Sequence, residues 1–486
     1  EDKMHLAGKT VFYCVSLPIL ALAVSCVSSA EIMEAGRMKG MADSELEAVT
    51  KGFESRREAL LKMLTGKPFK PAAKAAPLAA GKPGRPAYVR AYTYSVTDFT
   101  MRAMWLDEQN KEANSAMAEL CGYFIDNKEV RDDYDNFYWC MDVVCRTKEF
   151  FGKKGSIAPG RLNAETEDAM LEMMWVWAKD HSKVELAEFE KSRTWALTSS
   201  ENHHLQWFST CWQFAKFLKD EPKYRDRKYE DGKTASEHYA AWTAYAKEYL
   251  RERARKSLFV EVANGNYGFV SLKGIYNFFD FADDPVLKKR SGMFLDLWWA
   301  TWAQDQMAGV RGGGKTRIYQ GGGSVKGYDQ MAHVAWYYLD IGHARQAPSG
   351  PDFTVLTSDY RIPPVVADLA LDVKGRGAYE VRQYPLGRSL DGEARDAVPY
   401  HIQTDISGIY RYSYCTPEFI IGTLMFEARP REDWEAISAQ NRWQGVIFAG
   451  HPDARIVPQC LGLARNRCYN GHWSVQSKGA LITQKL

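Results

Sequence analysis

No C-x-x-C pair occurs in the 486 residues, and the nine cysteines are scattered, which excludes a zinc ribbon. Charge of one sign is missing too. The 63 basic and 61 acidic residues leave +2, without the strongly basic footprint of a general nucleic-acid binder, although a local basic cleft remains open. One apolar run, VFYCVSLPILALAVSCV, is short for a membrane-spanning helix and is interrupted by Pro18.

What is present starts with a targeting signal. Met4 opens MHLAGKT, with Lys9 as its positive charge; the apolar run follows, then Ser28-Ser29-Ala30. These are the three regions of a secretory signal peptide, so residues 1–30 are expected to be cleaved after Ala30 and the protein to be secreted or periplasmic. Glu1 to Lys3, ahead of that methionine, read as a misassigned start. A competing reading is lipid anchoring at Cys26, within LAVSC. In an oxidising compartment Cys460 and Cys468 are an expected disulfide, with other cysteines as buried thiols. Apolar content is 45%, charged content 26% and aromatic content 13%, with 15 Trp and 26 Tyr. That is globular composition, and aromatic faces are also what sugar rings stack on.

The pattern predicts an α+β multidomain chain. Residues 31–96 read as an amphipathic helix over 42–65 and a Pro-, Ala- and Lys-rich arm, KPFKPAAKAAPLAAGKPGRP. Residues 97–345 read as successive helices, among them EDAMLEMMWVWAKD, HHLQWFSTCWQFAKFL and GFVSLKGIYNFFDFA, in an antiparallel array. Composition changes near 346 at a Pro-rich joint, APSGPDFTVLTSDYRIPP. Residues 346–486 then read as strands, including GAYEVRQYPL, SGIYRYSYCTPEFIIGTLMF and HWSVQSKGALITQ. The chain stops on LITQKL, itself a strand reading, so a sheet cut short there is an expectation.

Gly309 to Thr316 match the phosphate-loop pattern G-x-x-x-x-G-K-[ST]. The context is wrong: a helical segment precedes the match, and RIYQGGGSVKGYDQ after it is too glycine-rich to begin a helix, so no nucleotide is expected. Arg311, Lys315, Arg317 and Tyr319 then share a Gly-rich loop that reads either as an anion site or as a solvated basic loop. Two further interhelical loops carry clusters. In TSSENHHLQW, Ser199 or Ser200 can cap a helix whose first turn holds Glu201, Asn202, His203 and His204, ahead of Trp207; helix N–H groups point where an anion would sit. In EVANGNYGFV, Asn264, Gly265, Asn266 and Gly268 surround Tyr267 on a turn before the next helix.

With these clusters in chain order, residues 97–460 resemble the toroidal uronate polysaccharide lyases, secreted (α/α)-barrel enzymes that cleave alginate, glucuronan, hyaluronate or chondroitin. YCTPEFIIGT and AQNRWQGVIF look like their β-domain. The resemblance implies an (α/α) toroid of antiparallel helices followed by an antiparallel β-sandwich, with an acidic polysaccharide as partner and no cofactor, metal or nucleic acid. It implies that Asn202 and His203 contact the uronate carboxylate, that Tyr267 is base or acid, and that Arg317 and Arg311 help bind the acidic sugar. His204, Trp207, Glu261, Asn264, Lys315 and Tyr319 are expected around the substrate. The chain departs from some members in lacking a histidine just before Tyr267; the nearest preceding is His238. Two proton routes follow: Tyr267 as both base and acid, or His203 or His204 as base with Tyr267 as acid. A glycoside hydrolase using two of Glu201, Glu261, Asp280 and Asp283 is the main rival, and a non-catalytic glycan-binding protein is the second. Oligomeric state is not legible.

Overall fold

The helical periodicity of the first two-thirds of the chain becomes helices in the computed structural model. It describes residues 41–74, 88–133, 136–187, 194, 200–255, 258–259, 261, 265–316, 326–344, 347–383, 410–425, 442–443, 445–458 and 472–485. The expected signal peptide, residues 75–87 of the Pro-rich arm, and Cys460 and Cys468 lie outside these residues. The principal helices are α1 (Asp43–Lys62), α2 (Arg90–Leu106), α3 (Asn110–Asp126), α4 (Met141–Phe151), α5 (Ala164–His181), α6 (Glu201–Asp220), α7 (Ala235–Arg255), α8 (Gly265–Phe281), α9 (Pro285–Gln304), α10 (Gln330–Leu339), α11 (Asp352–Leu356) and α12 (Pro364–Leu371). Local signals start several of them. Asn163 caps α5 by accepting from Thr166 N, and Asp284 caps α9, with Pro285 in its first turn. No helix among the described residues is long and apolar enough to cross a membrane.

Side-chain contacts give the directions of these helices. Ser209 of α6 abuts Gly274 of α8, and Asn277 donates to Gln213 at 2.8 Å, so α6 and α8 run parallel. Lys273 pairs with Asp142 at 2.9 Å and Arg146 with Asp280, which makes α4 parallel to α8. Tyr94 donates to the Trp139 carbonyl and Trp105 meets Phe150, so α2 follows α4 in the same sense. Asn266 accepts from Gln330 N, and Tyr338 donates to Tyr276, so α10 does too. The alternate helices run the other way. His204 meets Tyr245 while Trp212 meets Tyr239, placing α7 antiparallel to α6. Gly268 meets Trp298 while Gly292 meets Phe279, placing α9 antiparallel to α8. α6 has hardly any exposed side chain, as expected for a helix covered on all sides.

Helix continues past the Pro-rich joint. Prolines occupy the first turn of α12, where a missing N–H is harmless, and Val366, Ala367 and Ala370 are buried. Late in the chain comes a five-stranded antiparallel sheet in the order β4 (Tyr379–Gln383), β5 (Tyr410–Cys415), β6 (Phe419–Met425), β8 (Gly445–Phe448), β9 (Arg455–Ile456). A hairpin of β10 (His472–Ser477) and β11 (Ala480–Lys485) lies on β6: Gln476 donates to the Ile421 carbonyl at 3.0 Å, and Thr423 and Ser474 share a hydroxyl bond.

The phosphate-loop match takes a different form. Directly after α9, β1 (Gln306–Met307) and β2 (Val310–Arg311) pair through a turn with positive φ at Ala308 and Gly309. β3 (Lys315–Thr316) then pairs with β7 (Arg442–Trp443). A strand–loop–helix unit is therefore absent here. The glycines have a packing reason: a Cβ on Gly314 would lie 2.5 Å from the Thr423 carbonyl, and one on Gly312 would lie 2.7 Å from Ile420. Backbone without side chains lets this segment lie flat on β6. Of the basic residues in this segment, Arg311 and Lys315 are buried rather than solvated.

Candidate functional site

Parallel helices place their N-termini at one end, where unsatisfied N–H groups and aligned dipoles favour an anion. The α6/α8 contacts join residues 65 apart (209 and 274) and 64 apart (213 and 277). The same offset carries Asn202 to the level of Asn266 and Tyr267. The two sequence clusters thus lie level with one another on the first turns of neighbouring helices. Tyr267 is half-buried inside α8, which begins at Gly265, rather than on the turn expected before it. Ser200 sits at the N-cap of α6, but its hydroxyl donates to Asn202 Oδ1 at 2.6 Å instead of capping a backbone N–H.

His203 is buried between helix ends. Its Nδ1 is 2.9 Å from the Tyr138 hydroxyl, and its ring packs edge-on against Trp139. Arg90, at the start of α2, lies over the Trp139 ring at 3.7 Å, a cation–π contact. At the head of α10, Asp329 caps the helix through Met331 N and Ala332 N. Its carboxylate fills the place that a side chain at 265 would need. Lys315 and Arg455 face Asp329 electrostatically. Burial holds the Lys315 ammonium down to about 8, with Asp329 pulling the other way. Alongside lies a pocket of about 340 Å³ lined by Tyr94, Asp98, Asn266, Phe269, Gln330 and Ser349. Aromatic faces together with a few amide and hydroxyl groups are an ordinary lining for a small-molecule pocket.

Other expected substrate residues are elsewhere. His204 is buried on the α7 side, 2.6 Å from the Tyr245 hydroxyl, and burial followed by the charge of Arg253 pushes its imidazole down to about 3. Trp207 is buried against Trp242 and donates to the His181 carbonyl at 3.1 Å. The Glu261 N–H donates to Glu201, which faces Arg253 at 3.6 Å; all three residues are buried. Arg311 pairs with Asp305 at 3.0 Å inside the junction between helices and sheet, so its fork is committed to the fold. Asn264, Arg317 and Tyr319 lie outside the described residues. Of the carboxylates considered for hydrolysis, Asp280 and Asp283 belong to the opposite end of α8, with Asp280 paired to Arg146. The 17 residues of α8 span about 25 Å, too far to share one bond with Glu201 or Glu261.

Tyr138, Trp139, Arg90 and Tyr94 were not singled out in the sequence. DNFYWC, ahead of α4, carried the same signal as the Tyr267 cluster: aromatics beside turn residues at a helix start. Among the described residues no group of three or more His, Cys, Asp or Glu side chains is placed to hold a metal ion. Compared with protein-family models, curated proteins and solved structures, the chain matches none.

Proposed function

We propose that this protein is a polysaccharide lyase that cleaves an acidic, uronate-containing glycan by β-elimination. The observation that carries the proposal is the α6/α8 register, which sets Asn202 and His203 level with Tyr267 at the N-terminal end of parallel helices. Parallel helices alternating with antiparallel ones support an (α/α) toroid, and the β10–β11 hairpin against β6 supports a β-sandwich. Export through residues 1–30 belongs to the same reading.

In this reaction the proton on C5 of the uronate leaves, the electron pair forms the C4–C5 double bond, and the C4–oxygen bond breaks. Removing that proton beside a carboxylate places further negative charge on an already anionic group. Asn202 and His203, with the helix ends, would bind the carboxylate and accommodate the charge as it develops. A preorganised donor of this kind contributes about 3–4 kcal/mol. Tyr138 holds the His203 ring and thereby fixes which face it presents. Tyr267 would move the proton: it takes it from C5 and returns it to the departing O4, or only delivers it while His203 takes it.

The test is incubation of the purified protein with a panel of uronate polysaccharides, following the ultraviolet absorbance of new C4–C5 double bonds. Tyr267→Phe should lose about 10²–10⁴-fold in rate while glycan binding persists. New reducing ends without that absorbance would identify a hydrolase, and binding without turnover a glycan-binding protein. Either outcome removes the lyase reading.

A further inference from the structure

Below the helix ends, α4, α6 and α8 enclose a small polar cavity of about 10 Å³, room for a single water molecule. Gln206, Gln213, Lys273 and Asn277 line it, each at least 97% buried. Among the described residues, three of their polar atoms have no partner: Gln206 Oε1, Gln213 Nε2 and Asn277 Oδ1. Buried amides left in this condition are rare in folded proteins and call for a partner.

The orientation of each amide is set by its other end. Gln206 Nε2 donates to the Asn202 carbonyl at 3.1 Å. Asn277 Nδ2 donates to Gln213 Oε1 at 2.8 Å, which leaves Asn277 Oδ1 and Gln213 Nε2 turned the other way. Lys273 uses one N–H on the Trp139 carbonyl and one on Asp142, so among the described residues one of its three donors remains. The cavity wall therefore offers two acceptors, from Gln206 and Asn277, and two donors, from Gln213 and Lys273.

We propose that this cavity is the binding site of one ordered water molecule, which donates to Gln206 and Asn277 and accepts from Gln213 and Lys273. Two donors and two acceptors are the complement of water. A cation would face the Lys273 ammonium and an amide N–H; an anion would face two carbonyl oxygens. The site ties three helices together, and through Gln206 it reaches the Asn202 carbonyl in the first turn of α6. The inference does not depend on the lyase reading.

A crystal structure of the full chain at a resolution that shows individual waters tests it. One peak is expected within hydrogen-bonding distance of at least three of the four groups. In Gln206→Met, which keeps the volume and removes an acceptor, that peak should weaken or move away from residue 206. An empty or collapsed cavity in the unaltered protein would overturn the proposal. So would an anomalous signal at the position after soaking with rubidium or bromide, or a peak unchanged in Gln206→Met.

Discussion

His203 and His204 are consecutive residues, but about 100° of helix rotation separates their side chains. His203 turns toward Tyr138 and Trp139 among the helix ends, whereas His204 turns into the aromatic layer of Tyr245, Phe208 and Trp207. An imidazole in that layer stays neutral, because charging it would bury an ion without water. Its folded value near 3 lies below the ordinary 6.5. As the pH falls from about 6.5 toward 3 the unfolded chain takes up a proton that the folded chain refuses, so stability is lost on acidification at about 1.4 kcal/mol per pH unit. Replacing His204 by Gln, which can still bond the Tyr245 hydroxyl but does not titrate, should flatten this acid limb. Urea unfolding of both proteins at pH 7, 6, 5 and 4 would show it; equal pH slopes would contradict the placement. Acid sensitivity here belongs to the core and is separate from any pH dependence of turnover.

The helix pair α6 and α8 sets the level of the candidate site, and one small residue sets the pair. A Cβ at Gly274 would lie 2.6 Å from the Ser209 hydroxyl, so the helices approach closely at this point. Gly274→Ala should therefore destabilise by about 1–3 kcal/mol through overpacking, read as a fall in Tm. Ser209→Gly in the same chain should restore most of that loss, because the two changes share one contact. Strictly additive losses in the double variant would show that the helices do not meet there. Because Asn202 and Tyr267 sit two turns up the same helices, any sliding at Gly274 would also shift them against each other.

Over the whole molecule, one buried carboxylate joins the helical part to the sheet. Asp305, at the end of α9, pairs with Arg311 at 3.0 Å and with Arg411 of β5, and Arg411 also donates to the Gly314 carbonyl at 2.7 Å. Asp305 and Arg411 have no exposed surface and Arg311 has 4%. Removing one member of a buried ion pair strands the others, so Asp305→Asn is expected to cost about 3–5 kcal/mol. Urea unfolding followed by far-ultraviolet circular dichroism measures it; a change below 1 kcal/mol would mean that this junction is solvated. The same triad accounts for the arginine that first suggested an anion site in the glycine-rich segment. Its partner is an aspartate of the chain itself.

Much of the architecture was readable from local pattern. Apolar residues at helical spacing mark α5, α6 and α8, and alternation marks β5, β6 and the last hairpin, because each element must turn an apolar face inward and its period follows from backbone geometry. The loop clusters around Asn202 and Tyr267 were legible because polar and aromatic residues at helix starts stand out against that period. Tertiary structure alone decided which helices run parallel, and with that the common level of Asn202 and Tyr267. It also sent His204, Trp207 and Arg311 inward and brought Tyr138, Trp139 and Arg90 to the helix ends. A period shows that a residue lies on a face, whereas its partner is chosen by packing between segments far apart in the chain, for which a linear sequence carries no local signal.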